Sequence, residues 1–409
     1  MAWKETDVVD QRMRFVMDYQ SGAYSMAGLC HAYGISRCKG YKWLKRYAQE
    51  GVEGLKDRSR APHHHPSQVP ETVIETIIAC RSSFPWWGPK KIRHYLMRTR
   101  PAHRWPAAST IGEILTRHGL TVPRRRRRRV PPQTAPFADC DGPNTMWCAD
   151  FKGWFRTGNG ARCEPLTISD ACSRYLLRCQ VMPGTGGVRV KAVFQAAFRE
   201  YGLPQVIRTD NGSPFASHGV GGLSKLSLWW IKLGIVPERI DPGQPQQNGR
   251  HERIHLTLQQ AVSPAATLRD QQRAFDRFQY EYNDLRPHEA LGQVPPAEVY
   301  TRSPRPYPAR LSRMRYPETM TVRKVQKRGE FHWRGHRVFL GEALAGEPVG
   351  LEREDDRYWT VRFGPVVLGV FDAHRLVVVK PKVRGQRRGG TFRRPFRSAP
   401  GTPEGPIKV

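Results

Sequence analysis

Apolar positions near the start of the chain repeat at helical spacing in three short runs. Val9, Met13, Val16 and Met17 predict a first helix, which "SGAYS" breaks. Ser25 stands where it can cap a second, carrying Met26, Leu29, Cys30 and Tyr33. Ser36 opens a third, in which Tyr41 and Leu44 are expected to face inward. A Pro- and His-rich stretch follows, and then helical spacing returns: Ile74, Ile77 and Ile78, then "WWGPKKIRHYLM", then "TIGEILTRHGL" with Ser109 as its expected cap. From about 143 the period changes. "TMWCADFKGWF" and "EPLTISDACSRYLLRCQVM" predict a three-strand antiparallel meander. After it come a helix ("VRVKAVFQAAFREYG"), a short buried strand ("PQVIRTD"), a helix ("LSKLSLWWIKLG"), a strand ("IVPERI") and a helix ("GRHERIHLTLQQAV"). That order, βββαβαβα, is a mixed α/β sheet rather than a doubly wound one. A further helix spans "FDRFQYEYNDLRPHEAL". Between 318 and 380, stretches such as "YWTVRFG" and "VVLGVF" predict a small all-β barrel.

Charge adds what the pattern lacks. The 409 residues include 67 Lys+Arg against 36 Asp+Glu, a formal net charge of +31. Such a surface attracts polyanions, nucleic acid first and anionic membrane second. No apolar run is long enough to cross a bilayer, and "MAWKETDVVD" does not read as a signal peptide. The eight cysteines form no Cys-x-x-Cys pair and read as free thiols of a reducing cytoplasm. On the third helix Arg37, Lys39, Lys42, Lys45 and Arg46 largely populate the faces that Tyr41 and Leu44 leave open. Residues 1–57 therefore read as an all-α helix-turn-helix domain whose last helix enters the DNA major groove. A three-helix bundle with a merely solvated basic face is the alternative. Residues 58–70, with His63, His64 and His65, read as a linker, and 71–120 as a second, winged-type helix-turn-helix. In the linker at 121–142 six consecutive arginines, Arg124, Arg125, Arg126, Arg127, Arg128 and Arg129, are expected to lie along phosphates. The mixed α/β core then spans 143–305, the barrel 318–380, and a basic, disordered Arg/Gly/Pro-rich tail 381–409.

Against this positive background three acidic residues stand out. Asp150 lies in the first strand of the core, Asp210 closes the fourth ("VIRTDNGSPF"), and Glu252 sits near the start of the helix after the fifth. In a βββαβαβα sheet the first and fourth strands are neighbours, so Asp150 and Asp210 can converge. A helix starting beyond the sheet edge can lower Glu252 onto them. Three carboxylates in one place repel unless a cation neutralises them. Oxygen-only ligands suit Mg²⁺ or Mn²⁺, and two such ions about 3.5–4 Å apart serve both oxygens of a phosphodiester displacement. The residues alone leave other readings open. Asp-Asn-Gly is also a turn former, Asp170 in "TISDACSRY" reads as structural, and Asp241 competes with Glu252.

"WCADFKG", "IRTDNGSPF", "PGQPQQNGRHER" and "YNDLRPHEAL" resemble bacterial insertion-sequence transposases with a retroviral-integrase-type catalytic core, of the ribonuclease-H-like superfamily. The resemblance covers about 143–300 directly. It implies that Asp150, Asp210 and Glu252 are the catalytic residues and the ligands of Mg²⁺ or Mn²⁺, with two ions. The match around Pro245, Asn248, Gly249 and Glu252 favours Glu252 over Asp241. Asn211 would stand beside the substrate or behind the carboxylates, and Asn248 would cap the helix of Glu252. The implied activity is metal-dependent cleavage at transposon ends, then transfer of the freed 3′-hydroxyl strand into target DNA without ATP. Implied partners are double-stranded DNA, as terminal inverted repeats and target, and a second copy of the chain, in a bacterial cytoplasm at the nucleoid. A DNA-binding regulator that has lost catalysis, and a nuclease without strand transfer, are the rival readings.

Two departures from the family pattern carry expectations of their own. Between Asp210 and Glu252 lie 41 residues, more than is typical, and "ASHGVGGLSK" is expected to loop over the surface. Seven residues past Glu252, where relatives commonly carry a DNA-contacting Lys or Arg, stands Gln259. Arg250, Arg253 or His255 is expected to make the phosphate contact instead. Asn283, Arg286 and His288 of "YNDLRPHEAL" could approach DNA, or serve packing.

Overall fold

The structure, a computed structural model, describes residues 7–59, 68–121, 140–217, 220–241, 249–311 and 313–379. The arginine run 124–129, the histidines at 63–65, Pro245, Asn248 and the tail from 381 lie outside these residues. The chain forms two compact units, Met1–Pro70 and Glu71–Val409. Among the described residues no helix is long and apolar enough to cross a membrane.

The first unit holds α1 (Val8–Gln20), α2 (Met26–Ala32) and α3 (Arg37–Glu50). Both expected caps are present: Ser25 Oγ accepts from the Gly28 N–H at 3.2 Å and Ser36 Oγ from that of Lys39 at 3.4 Å. The core is Phe15, Val16, Leu29, Cys30, Trp43 and Leu55. On α3 the buried positions are Gly40 and Trp43, with Leu44 and Tyr47 packed beside them. Tyr41, expected inside, is 56% exposed, because it stands about 100° round the helix from Gly40. A Cβ on Gly40 would sit 2.8 Å from Cys30 Sγ and 3.0 Å from Phe15 Cζ, so the helices cross too closely there for a side chain. Arg37, Lys39, Lys42 and Lys45 are exposed and Arg46 partly so. Lys42 and Arg46 lie over one Trp43 ring, at 5.1 and 5.2 Å.

The second unit opens with α4 (Glu71–Ser83), α5 (Pro89–Thr99) and α6 (Ala108–Arg117). Ile77, Trp87, Ile92, Leu96, Ile111, Ile114 and Leu115 are buried. Ser109 is not the cap: α6 starts earlier, with Ala107 in the extended cap position and no side-chain cap bond. Nor is there a wing, since residues 68–121 contain no strand. Instead the helices dock on the core. The indole N–H groups of Trp86 and Trp87 both donate to Glu281 Oε1, at 3.1 and 3.0 Å. Lys91 Nζ donates to Pro287 O at 2.7 Å, and Arg98 reaches Glu298, Asp284 O and Leu285 O.

The core carries β1 (Met146–Phe151), a short hairpin of β2 (Phe155–Arg156) and β3 (Arg162–Cys163), β4 (Leu166–Asp170) and β5 (Leu176–Gln180). Then come α7 (Gly187–Tyr201), β6 (Val206–Thr209), α8 (Lys225–Lys232), β7 (Val236–Arg239), α9 (Gly249–Ala261) and α10 (Leu268–Tyr280). Strand order is β5-β4-β1-β6-β7, with β6 parallel to β1, β7 parallel to β6, and the β1–β4 and β4–β5 pairs antiparallel. This is the mixed sheet predicted from the alternation, with the first and fourth main strands side by side. Trp147, Ile168, Leu177, Phe194, Phe198 and Trp230 form its core.

Apolar on every side, α8 serves two cores. Leu226, Trp229 and Trp230 face the sheet, while Leu228 and Ile231 join Val325, Phe331, Leu351, Phe363 and Phe371. Leu223 is buried in that second cluster, so "ASHGVGGLSK" ends packed against the following β-structure and is not merely a surface loop.

That β-structure comprises β8 (Thr321–Lys324), β9 (Glu330–Trp333), β10 (His336–Phe339), β11 (Pro348–Arg353), β12 (Tyr358–Phe363), β13 (Val366–Asp372) and β14 (Val377–Val379). The described strands share one core, as a barrel would, but their hydrogen-bonded ladders do not establish a closed barrel. Five make an antiparallel sheet in the order β14-β13-β12-β11-β8, and β9–β10 is a separate hairpin sharing its core, so no hydrogen-bonded ladder closes the ring.

Candidate carboxylate site

The pairing of β1 with β6 sets Met146 against Val206, Trp147 against Ile207 and Cys148 against Arg208. Two residues further along both strands, that register brings Asp150 level with Asp210. Asp150 is still within β1, where its partner on the other side is Thr167 of β4. Asp210 is the first residue past β6 and occupies the turn as well: the Gly212 N–H donates to its carboxylate. Asn211 Nδ2 donates to Ile240 O at 2.8 Å, tying the end of β6 to the end of β7. Glu252 is exposed in the first turn of α9.

Burial, then the charge of Asp210, push the Asp150 carboxyl up to about 7. The Phe151 N–H opposes the rise, Glu252 adds to it, and Lys152 reduces it. Asp210 is raised by burial and lowered by the Gly212 N–H, and its Oδ1 is buried with no hydrogen-bond partner. The structure thus brings the three predicted carboxylates into one electrostatic neighbourhood. Among the described residues no three His, Cys, Asp or Glu side chains stand at spacings that already hold a metal ion. The donor set nevertheless suits a hard cation, which would give the stranded oxygen of Asp210 a partner and offset the repulsion.

Behind the carboxylates lies a buried polar network that the sequence reading did not single out. Thr167 Oγ1 donates to Asp150 O at 3.2 Å and stands 2.6 Å from His251 Nε2 and 2.7 Å from His255 Nε2; Ser169 Oγ is 3.0 Å from His251 Nδ1. Burial holds both imidazoles below their ordinary range, His255 at about 4. The visible signal was "HERIH", two histidines four apart on one helix face. That spacing is also the one by which a helix holds zinc. Here the facing nitrogens are bound to Thr167, and no third metal-ligating side chain completes a site among the described residues.

Other expected residues fall into place around this centre. Asp170 is buried and accepts from the N–H groups of Asn144 and Ser173 and from Ser173 Oγ, a structural clasp. Asp241 lies exposed past β7. Arg250 donates to Ala171 O at 2.7 Å, while Arg253 and Gln259 are exposed. His255 is 7% exposed and faces Thr167, so it is not the substitute phosphate contact. Asn283 pairs with both backbone groups of Leu176, and His288 packs on Tyr282.

Residues 141–245 and 233–296 each match the integrase core domain, 11–63 a helix-turn-helix domain and 39–115 a homeodomain-like domain. Over 184 residues the chain is 29% identical to an uncharacterized 31.7 kDa protein of insertion element IS407 from Burkholderia multivorans, covering 44% of this chain and 64% of the relative. Over 181 residues it is 28% identical to an uncharacterized 39.2 kDa protein of insertion element IS476 from Xanthomonas euvesicatoria, covering 43% and 49%. Across these regions the chain resembles the insertion-element transposases with an integrase-type core. It spans about half to two thirds of the length of these relatives. The catalytic core domain of HTLV-2 integrase, solved with magnesium in a trimeric form, is 16% identical and covers 39% of this chain and 99% of its own. Its TM-score of 0.32 is below the level that establishes a shared fold.

Proposed function

We propose that the chain is an active polynucleotidyl transferase that cuts the ends of its element and joins the freed 3′-hydroxyl strands to target DNA. Asp150, Asp210 and Glu252 would hold Mg²⁺ or Mn²⁺. The observation that carries this reading is Asp150, raised by burial and further by two carboxylate neighbours, beside an Asp210 oxygen with no donor. Bound there, divalent metal supplies positive charge for the attacking and leaving oxygens of a phosphodiester. The protein's part is to hold the carboxylates in place beforehand. Asp150 and Asp210 sit on adjacent parallel strands, and Glu252 comes from a helix packed against the same sheet. Arg253, next to Glu252 and exposed, is suited to a DNA phosphate near the carboxylates. In the first unit the exposed Arg37, Lys39, Lys42 and Lys45 serve recognition of the terminal inverted repeats, with Arg46 beside them. The arginines at 124–129 add contacts to phosphate without sequence preference. Joining two ends calls for at least a dimer, working at the bacterial nucleoid.

The test is a strand-transfer assay with Mg²⁺ on a duplex carrying the element's own end, comparing wild type with Asp210→Asn. Joined products from wild type that vanish in the variant, while end binding persists, are expected. Tight end binding without cleavage in Mg²⁺ or Mn²⁺ would favour a DNA-binding regulator, and cleavage without joining a nuclease.

A further inference from the structure

Two buried histidines on the helix that carries Glu252 converge on one hydroxyl, and that hydroxyl also holds the backbone of Asp150. The donor count around it is closed. Thr167 Oγ1 has one hydrogen and two lone pairs. Its hydrogen goes to Asp150 O, which can only accept, so both Nε2 atoms must be the donors. His251 then has its hydrogen on Nε2, and its Nδ1 must accept from Ser169 Oγ. Every bond fits neutral imidazoles in the Nε2–H tautomer. Thr167, Ser169 and His251 are at most 3% exposed, and the two imidazole rings meet edge to face at 4.9 Å. Packing alone does not need this arrangement, because Val at 167 and apolar residues at 251 and 255 would fill the same space with nothing to satisfy. A hydroxyl with three directed partners instead fixes α9 against β4 in one rotation and one register. Glu252 is the residue after His251, and Asp150 is the residue whose carbonyl the hydroxyl holds.

We propose that Thr167 is the positioning residue of the carboxylate site: a single buried hydroxyl that fixes the Asp150 strand and the Glu252 helix relative to each other. The inference rests on the proposed function, in which those carboxylates share metal. It adds that their spacing is set from behind by Thr167, with His251, His255 and Ser169 as its clamps. Groups that orient metal ligands commonly change metal affinity or activity by about 10–100-fold when removed.

The experiment uses the full chain and measures Mn²⁺ binding by calorimetry, thermal melting, end-duplex affinity, and the KM and kcat of strand transfer. Thr167→Val, which keeps the shape and removes the hydroxyl, is expected to weaken Mn²⁺ binding by about 10–100-fold. The loss should fall on kcat, with end-duplex affinity and KM for DNA unchanged. Thr167→Ser, which keeps the hydroxyl, is expected to restore Mn²⁺ affinity to within about threefold of wild type, the rescue that separates positioning from bulk packing. Should Thr167→Val not fold, Ser169→Ala decides. It leaves His251 Nδ1 without its donor and is expected to weaken Mn²⁺ by about tenfold. A folded Thr167→Val, or Ser169→Ala in its place, that binds Mn²⁺ within about twofold of wild type overturns the inference while leaving the transposase reading standing. Wild type that binds no Mn²⁺ and joins no DNA overturns both.

Discussion

Asp150 and Glu281 are partly buried carboxylates of the same compact unit, and each is raised to about 7 with burial as the largest cause. Their neighbours differ in sign. Glu281 Oε1 accepts from two indoles and has Arg286 nearby, so everything around it favours the charge that burial opposes. Asp150 has Asp210 and Glu252 pushing the same way as burial, while the Phe151 N–H and Lys152 act against them. The difference teaches how to read a displaced carboxyl. Burial says that charge is costly at a position; the partners say whether the position is a clasp or a place prepared for a cation.

The largest expected effect separates the two at once. Asp150→Asn should lower strand transfer by about 10³-fold or more, the size expected when charge stabilisation worth several kcal/mol is lost. Glu281→Gln, which keeps an acceptor oxygen for both indoles, should stay within a few fold. Equal losses in single-turnover assays would dissolve the contrast.

Next comes pH. In metal-free buffer a carboxyl raised to about 7 from the ordinary 3.8 stabilises the fold below about pH 4, and that contribution is lost as pH rises through about 7. Asp150→Asn should remove the Asp150 share of the dependence, leaving that of Glu281, and make the protein more stable than wild type at pH 8 by about 2–4 kcal/mol. Mg²⁺ should narrow that gap for wild type only. Denaturant midpoints between pH 4 and pH 8 provide the check, and a wild type that gains stability over that range would contradict the assignment.

Glu281→Ala should act on the fold instead. Two indole N–H groups lose their acceptor, at a cost of about 2–3 kcal/mol, and docking of α5 on the core weakens. Mn²⁺ affinity should not move, and a tenfold change in it would mean the clasp and the site are one system.

The smallest effects extend the contrast to cations. Lys42→Ala or Lys45→Ala should each lower the slope of log affinity against log salt by about 1, with little change in stability. Lys91, bonded to Pro287 O and lowered by burial to about 8, should do the reverse: Lys91→Ala costs stability and leaves the salt slope alone.

Much of the site was legible because it follows from strand order. Asp150 lies within the first strand run and Asp210 closes the fourth, and the alternation of elements predicts those strands as neighbours. Other features depend on contacts between distant segments. Trp86 and Trp87 carry no sign that Glu281 receives them, and without that docking "WWGPKKIRHYLM" reads as an independent DNA-binding helix. The "HERIH" spacing was visible, but its partner Thr167 lies on a strand 84 residues away from His251. Tyr41 was misplaced because Gly40 marks the buried stripe, and a glycine gives no apolar signal. Open and closed sheets share the same alternation, so the barrel was not decided by it either.

The central claim is that Asp150, Asp210 and Glu252 together bind the divalent ion that strand transfer requires. Crystals of the full chain soaked in Mn²⁺ and measured at the manganese absorption edge test it most directly. The account predicts an anomalous peak bounded by these three carboxylates, with Asp210 Oδ1 among its ligands. A peak elsewhere, or none, in a protein that still joins DNA ends would contradict it.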